Sequence, residues 1–140
     1  MTREFSLAAV LRVRSIQERA AAQQLSRATI DANQTSARER HLRAALAATD
    51  AEAVDVRQLA ALAASRVAGR SMLADLQSLS ELQQEELRRA RAAHEEVRRE
   101  VRGLDRLAQA HSRKVREDEL RTEQKELDEI GSRNRAEERT

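Results

Sequence analysis

Cysteine, proline, tryptophan and tyrosine are all absent from this chain, and glycine occurs only at Gly69, Gly103 and Gly131. Each absence excludes something. Without cysteine there is no disulfide framework and no thiolate chemistry. With almost no glycine or proline there is little material for the turns of a β-sandwich or barrel, whose strands would also need β-branched and aromatic residues. Aromatics amount to 1%, a single Phe5, so the usual aromatic contribution to a globular core is missing as well. No long apolar run exists: the longest uncharged stretch, Gln58 to Ser65, is far short of the roughly 20 residues that span a bilayer. Met1-Thr2-Arg3-Glu4 does not open a secretory signal. A soluble protein made in the cytoplasm is expected.

What is present is Ala, Leu, Glu and Arg. The hydrophobic set makes up 40% of 140 residues and charged residues 36%, a composition of long helices and coiled coils. Lys plus Arg is 26 against 24 for Asp plus Glu, so the net charge is only +2. The pI near 9.9 reflects arginine's high pKa and argues weakly for a nucleic-acid partner.

The expected fold is all-α, two long helices forming an antiparallel coiled-coil hairpin. Gly69-Arg70-Ser71 offers a left-handed helix end followed by a new cap, which places the turn at 69–71. Arm one then covers about 3–68 and arm two about 72–132, each roughly 105 Å long at 1.5 Å per residue. Capping-box patterns at Thr49…Glu52 and Ser78…Glu81 compete, so a looser turn anywhere between 49 and 78 is the alternative. Gly131, Ser132 and Asn134 lead into a tail, 133–140, that is expected to fray.

Arm two has the better heptads. One seam reads Leu73, Ser80, Leu87, His94, Val101, Ala108, Val115, and the other Leu76, Gln83, Ala90, Val97, Leu104, His111. Arm one reads Leu11, Glu18, Leu25, Ala32, Glu39, Leu46, Ala53, Ala60, Val67, with Leu42 and Val56 on the companion seam. Alanine lets helices approach closely but buries little area, so at about 25 cal/mol per Å² the pairing is marginal without a partner. After Val115 the register breaks. Leu120, Leu127 and Ile130 continue a stripe, but Leu120 is about 140° around the helix from Val115. Either the coil re-winds through a stutter or the stripe faces another protein.

Charge is uneven along the chain. Residues 1–70 carry 11 basic and 7 acidic residues, and residues 71–140 carry 15 and 17. Within arm two, ten basic residues between Arg88 and Arg116 face four acids, and seven acids between Glu117 and Glu129 face Arg121 and Lys125. The arginine run lacks aromatics for base stacking. Glu95, Glu96, Glu100 and Asp105 sit at helical salt-bridge spacing within it, so a solvated, partly self-paired face is expected.

No catalytic constellation is found, and no metal or cofactor is expected. His94-Glu95 does not begin a zinc-binding H-E-x-x-H, because Arg98 stands at the second His position. His94 and His111 fall on seam positions and are expected to set register, while His41 stands far from both. Gly103, if helical, costs about 1 kcal/mol against Ala and is expected to permit close approach of the other arm.

Both termini carry a pattern. The start is Phe5-x-Leu7-x-x-Val10-Leu11-x-Val13-Arg14 with Glu18 following, and the end is Glu123-Gln124-Lys125-Glu126-Leu127-Asp128-Glu129-Ile130-x-x-Arg133. Together they resemble the opening and closing motifs of the flagellar export protein FliJ family. The resemblance covers about ten residues at each end. It implies a non-enzymatic component of the bacterial flagellar type III export apparatus, at the cytoplasmic face of the basal body. Such a stalk inserts into the export ATPase ring, links it to the membrane export gate and escorts export chaperones. A thin rod can enter a ring, whereas a globular domain cannot. By the resemblance, partner binding falls on Phe5, Leu7, Leu11, Arg14, Leu120, Gln124, Lys125, Leu127, Asp128, Glu129, Ile130 and Arg133, with the two sets brought together at one end of the hairpin. The chain departs from the family in lacking aromatics near the middle. Leu42, Leu46, Met72, Leu76 and Leu79 are the apolar contacts available at the turn end. The alternatives are a generic coiled-coil scaffold, a basic-helix nucleic-acid-associated protein, or the analogous stalk of a virulence type III secretion system.

Overall fold

A computed structural model describes residues 2–48 and 55–140, with side chains within 6–48 and 55–140. The class is the expected one: among the described residues there are two helices and no strand. α1 spans Thr2–Ala48 and α2 spans Val56–Glu137. With no proline and few glycines, nothing interrupts the i→i−4 ladder within either helix.

The arms are unequal, 47 and 82 residues, because the second begins earlier and ends later than expected. Asp55 caps it. Its Oδ1 accepts from the Gln58 amide at 2.8 Å and its carbonyl from the Leu59 amide at 3.1 Å, which satisfies donors that the first turn leaves free. The expected turn at 69–71 is therefore incorrect: those residues, like Ser78 to Glu81, lie inside α2. Gly69 has no positive φ and is not a helix terminator. The competing boundary at Thr49 to Glu52 lies outside the described residues. At the other end α2 continues past 132. Arg133 pairs with Glu129 at 2.8 Å, the Ser132 hydroxyl donates to the Glu129 carbonyl at 3.0 Å, and Arg135 Nε donates to the Gly131 carbonyl at 3.3 Å. These local bonds support helix through Gly131 up to Glu137.

The chain forms two compact units, one of Met1–Ser15 with Arg99–Thr140, the other Ile16–Arg98. In the second unit α1 and α2 run antiparallel. Gln24 to Asp31 lie level with Gln83 to Ala90, Leu42 with Met72 and Leu76, and Leu46 with Gly69. Every buried residue among those described is here, and all three are small: Ala32 at 3% exposure, Thr35 at 2%, and Gly69. Small residues let the backbones approach where a leucine would hold them apart. Gly69 shows the mechanism directly, since an added Cβ would stand 2.5 Å from Leu46 Cδ2.

The first unit is also antiparallel, with Arg14 against Glu100 and Leu7 and Leu11 against Ala108 to Val115. None of its described residues is buried. Both seams expected for arm two are half-buried at every position from Leu73 to Val115, and they extend back through Gly69, Arg66 and Leu62. Arm one's seam holds from Leu11 to Leu46, with Leu7, Arg14, Ala21, Ala28, Thr35 and Leu42 as its companion. Its expected continuation fails. Val56, Ala60 and Val67 belong to α2 and are exposed, and Ala53 lies outside the described residues.

Candidate partner-binding surfaces

A paired helix can bind a partner only with residues that its own seam leaves free, so the seam's end defines the first surface. Arg14 reaches Glu100, and Leu7 and Leu11 lie beside Ala108 to Val115. Val115 is the last half-buried seam residue, and every residue from Arg116 to Ile130 is exposed. The stripe Leu120, Leu127 and Ile130, exposed at 59%, 65% and 54%, is thus no re-wound seam with α1. These three side chains fall within about 80° of one another around the helix. Local bonds hold the segment: Arg121 to Asp118 at 3.9 Å, the Thr122 hydroxyl donating to the Asp118 carbonyl at 2.9 Å, and the Arg133–Glu129 pair.

The sequence-predicted residues fall into three groups here. Leu120, Gln124, Lys125, Leu127, Asp128, Glu129, Ile130 and Arg133 are all exposed on this single helix, with Glu129 and Arg133 engaged to each other. Leu7 and Leu11 are half-buried on α1 and line an open groove of about 380 Å³ with Ala8, Ala108 and Val115. They therefore meet 108–119, not 127–130 as expected. Arg14 is occupied: its guanidinium lies 2.9 Å from Glu100 Oε2. The side chain of Phe5 lies outside the described residues.

The second surface is in the other unit. Leu42, Met72 and Leu76 line a shallow, mostly apolar groove rimmed by Arg38, His41 and Asp75. Met72 is 58% exposed, and Leu79 stands nearby on α2 at 40%. Leu46 does not join them, because it turns into the space over Gly69.

The arginine run is only partly self-paired. Glu85 holds Arg88 and Arg89. The hydrogen bond and charge of Arg88, with a smaller contribution from Arg89, lower the Glu85 carboxyl below its ordinary pKa. Farther along, two of the interleaved acids turn elsewhere: Glu100 to Arg14, and Asp105 to the Gln109 amide, which donates at 3.3 Å. Arg102, Arg106, Arg113 and Arg116 have no ion pair among the described residues. At 3- to 7-residue spacing they share one side of α2. Sequence reasoning missed this, although steps of four and three in the arginines themselves signal a common face.

One other expectation is revised. Gly103 is not a close-approach site, since nothing lies within 4 Å of where its Cβ would be, and Gly69 plays that part. His94 and His111 are half-buried on the seam as the heptads require. Among the described residues no cluster of His, Cys, Asp or Glu could hold a metal ion, and no helix is long and apolar enough to cross a membrane. No family model matches the chain, and neither a curated protein nor a solved structure matches it.

Proposed function

We propose that this chain is a non-enzymatic stalk of a bacterial flagellar type III export apparatus. It inserts into the ring of the export ATPase, links that ring to the membrane export gate and escorts export chaperones, working by contact at the cytoplasmic face of the basal body. The observation that carries this reading is the exposed stripe Leu120, Leu127 and Ile130, which coincides with the C-terminal motif Leu127-Asp128-Glu129-Ile130. An apolar stripe on a helix that has left its own seam gains most from a partner. Burying a leucine or isoleucine contributes about 1.5–3 kcal/mol, and an unpaired helix is otherwise held mainly by its local ion pairs. Asymmetric contact of this stripe with successive ring subunits would bias ring assembly and the ATPase cycle. The apolar groove at Leu42, Met72 and Leu76 supplies the second contact, to the gate.

The test is a pull-down and turnover assay with the flagellar export ATPase of the same organism, comparing the wild type with Leu127→Glu/Ile130→Glu. The wild type should bind and alter ATP hydrolysis. The variant should bind at least about tenfold more weakly, a loss of about 1.4 kcal/mol or more, with unchanged helicity. A wild type that does not bind, or a variant that binds as well, removes the reading. Helicity lost without a selective binding defect would make the stripe structural.

A further inference from the structure

We infer that a second copy of this chain covers the groove at Leu7 and Leu11, by laying its own acidic helix end into it antiparallel. Three observations lead there. The groove pairs an apolar floor, Leu7, Leu11, Ala108 and Val115, with Arg116 on its wall, and Arg113 lines the adjoining surface beside Ala108 and Ser112. Arg102 and Arg106 continue the same side of α2, and none of these four arginines has a carboxylate partner among the described residues. The one acid on the lining is Glu119. What fits such a surface is an amphipathic helix with an apolar stripe and acidic flanks.

The chain itself carries such a helix. Residues 117–129 hold seven acids against Arg121 and Lys125, and Leu120, Leu127 and Ile130 form their exposed apolar stripe. It cannot enter the groove of its own chain, because residues 117–130 continue the same unbroken α2 that forms one wall of that groove. It can enter the groove of another copy. With two α2 helices antiparallel and crossing near residue 120, the acidic segment of each copy lies along the basic segment of the other. Leu127 of one copy then comes level with Ser112 and Arg113 of the other. The contact is isologous, so each favourable pairing is made twice and the assembly closes as a dimer. The apolar area is modest, so the dimer is weak and steeply salt-dependent. This inference does not depend on the export reading.

Sedimentation velocity of the full chain tests it. At roughly 0.05 M salt the average mass should rise with concentration from 15.8 kDa toward twice that value, and roughly 0.5 M salt should suppress the rise. Two charge-reversed variants sharpen the test. Arg113→Glu/Arg116→Glu makes the groove acidic, and Glu123→Arg/Glu126→Arg makes the helix end basic. Each alone sets like charges against each other in both contacts and should sediment as a monomer. Mixed in equal amounts they restore opposite charges in both contacts and should associate. A wild type that stays monomeric at low salt, single variants that dimerise like the wild type, or a mixture that stays monomeric each overturns the inference. If either variant loses helicity, the cysteine-free background gives a second measurement. Ser112→Cys mixed with Leu127→Cys should form the disulfide-linked hetero-pair under mild oxidation in preference to either homo-pair, and equal yields of all three reject the proposed register.

Discussion

The unit built on residues 16–98 and the one built on residues 1–15 and 99–140 use the same heptad geometry with different side chains. In the former, small residues meet: Ala32, Thr35 and Gly69 are buried, and Leu46 fills the space a glycine Cβ would take. In the latter, Leu7, Leu11, Val101 and Leu104 form a seam in which nothing is buried, and α2 runs on alone. Close approach therefore comes from what a residue lacks. The unit in which no described residue is buried leaves a groove and a free helix for others to use. The loose unit carries the stripe and the groove at Leu7 and Leu11, while the second contact proposed, at Leu42, Met72 and Leu76, lies on the tight one.

The largest expected effect breaks the tight unit at its closest contact. Gly69→Leu forces a branched side chain into the space of Leu46 and should destabilise the fold by about 2 kcal/mol, as overpacking of a filled site does. Gly103→Ala is the control. It sits on an open face with nothing within 4 Å, so it should stabilise the fold by up to about 1 kcal/mol through helix propensity alone. Thermal melts followed by circular dichroism read both. If the two glycines respond alike, the distinction between a packing glycine and a tolerated one is wrong.

That pair of glycines also marks how far the sequence was legible. The class, the seam from Leu73 to Val115 and the seam from Leu11 to Leu46 follow from apolar spacing, which a coiled coil must obey. The glycines do not announce their role. Gly69 reads equally well as a helix end and as a close contact, and only the position of Leu46 decides. Choosing the first shifted both arm boundaries and carried Val56, Ala60 and Val67 onto the wrong helix. Asp55, the residue that does start α2, carries a signal that this choice passes over: Gln58 follows it three residues later, just before an apolar run, as at a capped helix start. The site was legible as a stripe, since Leu120, Leu127 and Ile130 fall off the seam register. It was not legible as a place, because which residues of α2 the seam covers depends on a pairing register fixed by contacts such as Arg14 with Glu100.

A smaller effect probes the loose unit through that ion pair. Both side chains keep about two-fifths of their surface in solvent, at 41% and 39%, so screening limits the interaction. A double-mutant cycle with Arg14→Ala and Glu100→Ala should give a coupling of about 0.5 kcal/mol, falling with added salt. A coupling well above 1 kcal/mol would mean that this contact locks the register and that the unit is less loose than its burial indicates.

The smallest effect lies at a half-exposed ion pair beside the seam of the tight unit. Arg88 and Arg89 lower the Glu85 carboxyl below its usual value of 4.5. A depressed carboxyl stabilises the fold above its unfolded pKa, and that contribution disappears as pH falls through the lower folded value. Acidification below pH 4.5 should therefore cost the wild type slightly more helicity than Arg88→Ala, whose Glu85 titrates nearer its ordinary range. The Glu85 side chain keeps 46% of its surface in solvent, so high salt should shrink the difference. The comparison has a clear sense. If losing Arg88 changes acid stability more than the Gly69 substitution changes thermal stability, surface charge rather than close packing holds this unit together. A marginal, salt-sensitive difference leaves the small-residue seam as its main support.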